Sequence, residues 1–173
     1  EGAKVKKLAE TLNNDLKTQE KIVVFVNSYI EGVIKGKQNI ISKMNLPKDV
    51  IVEEIHGEIT HEERKRIEDE LKSGNKKTVV FVSGQTADVG VDFSGADGVI
   101  FYNEPWSNYE KAQQQSRVYR EGLQNPLVSK TIMTRNSIEE GMRDYSNSKE
   151  RAIKKLLKGI SNTDAEKKLL YGD

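Results

Sequence analysis

The sequence contains no cysteine. Disulfides and thiolate metal sites are therefore excluded, and an intracellular setting is expected: cytoplasm, nucleoid or nucleus. No apolar run approaches the ~20 residues that a membrane span needs, so no membrane partner is expected. The opening stretch "EGAKVKKLAE" has no apolar signal core. It starts on Glu1 rather than Met, which suits an excised part of a longer protein. Histidine is scarce. The two present, His56 and His61, are five apart with no carboxylate arrangement typical of a metal site, so they read as structural or solvated and no metal site is expected. An excess of charge of one sign is also missing, because 28 Lys+Arg stand against 27 Asp+Glu. No global basic field announces nucleic acid, and any phosphate binding must come from local placement.

What is present is a 173-residue chain, 35% hydrophobic and 32% charged, enough for one domain with a sizeable core under a heavily charged surface. Five β-branched runs read as strands: "KIVVFV" (21–26), "DVIVEEI" (49–55), "KTVVFVS" (77–83), "DGVIFYN" (97–103) and "SKTIMT" (129–134). Their near-continuous Val/Ile/Phe content suits a sheet covered on both faces. Helical periodicity lies between them. Val5, Leu8, Leu12 and Leu16 mark a first helix; Val33, Ile40, Ile41 and Met44 a second over about 29–44; Ile67 and Leu71 a third over about 60–73. Thr60 with Glu63, Ser107 with Glu110 and Ser137 with Glu140 fit the S/T-x-x-E capping box. Gly74 and Gly122 sit where helices should stop. The alternation predicts an α/β fold of three layers, with a mainly parallel central sheet and helices on both faces. No internal repeat, low-complexity tract or linker divides the chain, so residues 1–173 are expected to form one domain, with 143–173 a helical extension. Residues 148–173 hold seven Lys/Arg against four Asp/Glu, and Ile153, Leu156, Leu157 and Ile160 form a stripe. The expected arrangement is a helix packed on the sheet with a wet cationic face; a tail contacting DNA or a partner is the alternative.

In open parallel sheets, ligands bind beyond the carboxyl ends of the strands. Two loops there stand out. "SGQTADVGVDF" (83–93) gathers Ser83, Gly84, Thr86 and Gly90, small groups that a phosphate can approach closely. "NEPWSNYEKAQQQSRVYREG" (103–122) makes a rigid turn at Pro105 and Trp106, caps a helix with Ser107 and delivers Arg117 and Arg120, three apart. Arg forks match phosphate oxygens, so the pair reads either as a phosphate clamp or as a solvated basic face. There is no G-x-x-x-x-G-K-[ST] phosphate loop and no acidic cluster of the kind that holds Mg²⁺. A domain of this kind that handles a nucleoside triphosphate supplies arginines while another part supplies the phosphate cradle and metal.

From about residue 4 to residue 142 the chain resembles the second RecA-like lobe of superfamily-two helicases and translocases, closest to the Swi/Snf group. "KVKKLAETLNNDLKTQEKIVVFVNSY" is similar to the family's lead-in helix and motif IV strand, and "HGEITHEERKRIEDELKSG" to its H-G, E-R, helix, G element. "SGQTADVGVDF" resembles motif V. "ADGVIFYNEPWSNYEKAQQQSRVYREG" resembles the Swi/Snf stretch ending in motif VI, Q-x-x-x-R-x-x-R. The resemblance implies the second motor lobe of a nucleic-acid-dependent ATPase, a translocase on duplex DNA, with a strand-separating helicase and a non-catalytic α/β interaction module as alternatives. It implies that Arg117 and Arg120 meet the γ-phosphate across a cleft, Arg120 being the arginine finger, and that Gln113 links motif VI to an N-terminal lobe. ATP with Mg²⁺ would be shared with that lobe. Gly90 and Asp92 would lie by the nucleotide, Asp92 at the ribose. Asn27, Ser28, Gly57, Ser83 and Gly84 would touch the DNA phosphate backbone. Asp88, Gly84, Tyr119 and Leu123 depart from the usual motif residues. From the residues alone, Asp92 also reads as a turn cap, Gly90 as a site needing positive φ and Trp106 as a core anchor.

Overall fold

The computed structural model describes residues 2–26, 41, 44–83, 90–103, 105, 107–119, 127–135 and 137–171, with side chains to 158. A helix α1 (Ala3–Asp15) leads into strand β1 (Lys21–Val26). Then come β2 (Ile51–Ile55), α2 (His61–Ser73), β3 (Thr78–Ser83), β4 (Gly98–Phe101), α3 (Asn108–Val118), β5 (Val128–Thr131) and α4 (Ile138–Tyr171). The five strands form one sheet in the order β2-β3-β1-β4-β5. Every pairing is parallel, with Val26 opposite Ser83 and Phe25 opposite Phe101. The expected α/β fold is the one observed.

The strand alternation divides the core in two. Ile22, Val24, Val26, Val79, Phe81 and Ile100 face α1, whose Leu8 and Leu12, with Leu16 just past its end, are buried against them. Val23, Phe25, Val80, Val82, Val99 and Phe101 point the other way, toward Ile67 and Leu71 of α2 and Val118 of α3. Between those helices lies an irregular segment carrying Val91, Phe93 and Ala96. Sheets buried on both faces favour apolar residues at successive positions, so residues 22–26 of β1 and 79–82 of β3 are unbroken apolar runs. The helix expected over 29–44 lies outside the described residues except at Ile41 and Met44, and both of these lie against the first core.

The ends of the elements follow local chemistry. Thr60 and Glu63 form a complete capping box at the start of α2, with both reciprocal hydrogen bonds at 3.2 Å. Ser107 Oγ accepts from the Glu110 amide at the start of α3. Gly74 does follow α2, for a different reason from the one its position suggests. Its φ of −68° is open to any residue, but a Cβ there would stand 2.5 Å from the Glu70 carbonyl oxygen. At the lower edge Asp97 accepts from the Glu20 and Lys21 amides, and the Lys21 ammonium is buried on the Glu70 and Lys76 carbonyls and Thr78 Oγ1.

Two expectations about helices fail. α3 does not run to Gly122; it ends at Val118, and Tyr119 is already extended, with ψ 128°. The Arg117 carbonyl accepts from the Phe93 amide at 3.1 Å instead of continuing the helical ladder. The C-terminal helix is not packed on the sheet along its length. α4 touches the body through its first turns, and residues 151–158 are exposed, including Ile153, Leu156 and Leu157.

Candidate functional site

The carboxyl ends of β1, β3 and β4 lie side by side at the centre of the sheet, so the chain leaving each strand emerges on one edge. β1 and β3 end together at Val26 and Ser83. Asn27, Ser28 and Gly84, the positions that follow, lie outside the described residues. Gly57 is an exposed turn residue just beyond β2, where the Glu58 amide donates to His56 Nδ1. Nothing lies within 4 Å of a Cβ built on Gly57, so this backbone is open to solvent. Ser83, at the end of β3, is wholly buried, and among the described residues its hydroxyl has no hydrogen-bond partner.

Gly90 is the described glycine with positive φ, +63°, a conformation that an L side chain rarely adopts. It starts the descent of the chain across the second core toward β4. Asp92 follows in a tight turn, accepting from the Ser94 amide on Oδ1 at 2.9 Å. Oδ2 pairs with Lys72 Nζ of α2 at 2.7 Å, and the Asp92 amide donates to Glu68 Oε1 at 3.2 Å. Partial burial would raise the Asp92 pKa, but the Lys72 ammonium and the Ser94 donors outweigh it and hold the carboxyl well below the usual carboxylate range. Neither Lys72 nor Glu68 stands out in the sequence. Both lie among ordinary helix-surface charges, and their partner lies twenty or more residues on.

The three glutamines of α3 have three different environments. Gln114 is buried beside Val118. Gln115 Nε2 donates to Ser129 Oγ on β5, one turn after Lys111 Nζ donates to Thr131 Oγ1. Gln113 lies on the remaining face with Arg117, four residues on. Among the described residues nothing pairs with the Arg117 guanidinium. Arg120 and Trp106 lie outside the described residues. Because Tyr119 is extended, helical spacing does not by itself put Arg120 on the face of Arg117.

A charged hub stands beside this edge. Glu139, in the first turn of α4, pairs with Lys4 of α1 and accepts from Asn103 beyond β4 and from the Thr134 amide beyond β5. Lys4 Nζ also lies 5.0 Å from the centre of the Tyr102 ring. Burial would raise the Glu139 pKa, but Lys4 and the other donors lower it overall; Tyr102 is raised by burial and by Glu139. The sequence pointed to Glu140 as the capping acid here, whereas Glu139 ties three elements together.

Comparison with known proteins fits this geometry. The family described as "Helicase conserved C-terminal domain" matches residues 3–122. The chromatin-remodeling ATPase INO80 of Lodderomyces elongisporus is 31% identical over 90 residues, covering 52% of this chain and 6% of that protein. The ATP-dependent helicase fft1 of Schizosaccharomyces pombe is 25% identical over 167 residues, 96% of this chain and 16% of that protein. The chain thus spans a small part of these relatives. Among solved structures, the C-terminal part of the Fun30 ATPase domain superposes with a TM-score of 0.69 at 18% identity, covering 84% of this chain and 45% of that one. The Sulfolobus solfataricus SWI2/SNF2 ATPase core in complex with dsDNA gives 0.60 at 23% identity, covering 80% of this chain and 28% of that one. A parallel five-stranded sheet, helices on both faces and a family match over most of its length make this chain a member of the helicase C-terminal domain family, the RecA-like lobe found in Swi/Snf-type ATPases.

Proposed function

We propose that this chain is the second motor lobe of an ATP-driven translocase on duplex DNA. The observation that carries the reading is Arg117: a cation on a capped helix, fastened to β5 by Lys111 and Gln115, with no counter-ion among the described residues. A guanidinium on a fastened helix, with no partner among the described residues, suits an anion arriving from outside. Aimed at charge that develops in a transition state, it stabilises that state more than the ground state. Gln113, on the same helix face, is the candidate link to an N-terminal lobe. Arg120, just past the helix end, is the candidate arginine finger. Gly90 gives the backbone a close approach to the nucleotide.

ATP would lie between this lobe and the N-terminal one. The Mg²⁺ that accompanies ATP would be shared with that lobe. Gly57 and the positions after β1 and β3 (Asn27, Ser28 and Gly84) would follow a phosphate backbone, giving contacts that are independent of sequence and weakened by salt. The relatives include chromatin-remodeling ATPases, and one solved neighbour is bound to dsDNA; both support a DNA substrate and an intracellular setting.

The test is DNA-stimulated ATP hydrolysis by the two-lobe protein. Arg117→Ala should lower turnover on the order of 10²-fold, while the melting temperature stays nearly unchanged because no partner among the described residues is lost. A variant that melts early but keeps its activity per folded molecule would make Arg117 a structural residue and leave an interaction module as the better reading.

A further inference from the structure

We propose that the Lys72–Asp92 pair is a positioning device for the arginine helix, fixing the turn whose Phe93 amide holds the end of α3 and so sets where Arg117 leaves the body. The inference rests on the motor-lobe reading for its functional consequence, though its structural part stands alone. The links are continuous. Lys72 Nζ is 2.7 Å from Asp92 Oδ2, Glu68 Oε1 accepts from the Asp92 amide, and Asp92 Oδ1 accepts from the Ser94 amide. Between these anchors the Phe93 amide donates to the Arg117 carbonyl at 3.1 Å. The Phe93 ring is buried edge-on against Phe25, with centroids 5.8 Å apart. On the far side of the turn, a Cβ on Gly95 would stand 2.3 Å from the Leu71 carbonyl oxygen, so the segment lies directly on α2.

The last carbonyls of a helix have no partner within it, and α3 is short. The Phe93 amide is what satisfies the carbonyl of Arg117 itself. If the 92–94 turn loosens, that carbonyl loses its partner, the last turn frays and the guanidinium loses its aim. A misplacement of this kind costs turnover more than nucleotide affinity. Both oxygens of Asp92 are already engaged within the chain, so this role differs from the ribose contact that the resemblance implies.

Three variants test it: Lys72→Ala, Asp92→Ala and the double variant, with Lys72→Arg as the conservative control. In the chain itself, hydrogen exchange at the Phe93 and Tyr119 amides should speed up roughly five- to tenfold in each single variant, no further in the double variant, and return toward normal in Lys72→Arg. In the two-lobe protein the same variants should lower kcat by a similar factor at unchanged KM for ATP. Unaltered exchange at Phe93 in Lys72→Ala overturns the clamp, whatever the ATPase does. A raised KM in Asp92→Ala alone, with lost discrimination between ATP and its 2′-deoxy analogue, also overturns it and restores the ribose role. A two-lobe protein that never hydrolyses ATP removes the motor reading while leaving the exchange result to judge the clamp.

Discussion

Two glycines five residues apart, Gly90 and Gly95, limit the chain for different reasons. Gly90 has φ +63° with nothing within 4 Å of a built Cβ, so Gly90→Ala introduces backbone strain and no clash. The expected cost is about 1 kcal/mol, the usual penalty for an L residue held left-handed. Gly95 needs no unusual dihedral, but its Cβ would meet backbone atoms of Leu71 and Lys72 at 2.3–2.7 Å. Gly95→Ala must push α2 away from the segment over Phe93 and Ala96, so it should cost more, about 2–3 kcal/mol. Urea unfolding of the two variants measures the difference. Equal midpoints would remove the distinction between strain and contact. Gly90 is legible in the sequence because it sits in a small-residue loop after a strand. Gly95 is not, because what crowds it is a helix end more than twenty residues earlier.

At the scale of elements, three of the four described helices carry ion pairs that tie them to the rest of the body. Glu139 ties α4 to α1 and to the ends of β4 and β5; Asp15 of α1 pairs with Lys130 of β5; Lys72 of α2 pairs with Asp92. Glu139 and Asp92 have folded-state pKa values below their ordinary ones. A carboxyl lowered in this way binds fewer protons folded than unfolded. Its contribution is fully present above the unfolded pKa, about 4, and is lost as pH falls through the folded value. Stability should therefore hold from neutral pH to about pH 5 and decline below about pH 4. Glu139→Gln should flatten part of that acid decline while lowering stability at pH 7 by about 1–2 kcal/mol. Denaturant titrations at several pH values check both, and an unchanged acid slope in Glu139→Gln would show that the hub is not a source of it. Glu54, raised by burial alone, works in the opposite direction. The strands and caps were legible at this scale because periodicity and S/T-x-x-E spacing are local. The end of α3 was not. Ser107 marks its start in the sequence, but it stops where a distant amide takes the Arg117 carbonyl, four residues before the glycine that local rules favour.

Over the whole molecule, the sheet with its two cores is one body and α4 is the exception. At 1.5 Å per residue its 34 residues reach roughly 50 Å, longer than the sheet it starts from. Asn108 of α3 fastens it through Ser146, Asn147 and Glu150, and residues 151–158 beyond are exposed. Ile153, Leu156 and Leu157 then lie on one side, with Arg151, Lys154, Lys155 and Lys158 on the other, all exposed. The stripe spacing in the sequence was read correctly as helical, but amphipathic spacing does not reveal whether the apolar side has a partner within the same chain. Removing exposed apolar groups costs a fold little, whereas removing buried ones leaves a cavity. The double variant Leu156→Gln with Leu157→Gln should shift the unfolding free energy by no more than about 0.5 kcal/mol. Leu8→Ala, in the wholly buried side of α1, should cost about 2–5 kcal/mol. Amides of 151–158 should exchange as those of a helix held only by its own ladder, well before those of β1 and β3. A large loss of stability in the Leu156/Leu157 variant would mean that the stripe packs on the body in solution, and α4 would then be part of the core rather than an arm projecting from it.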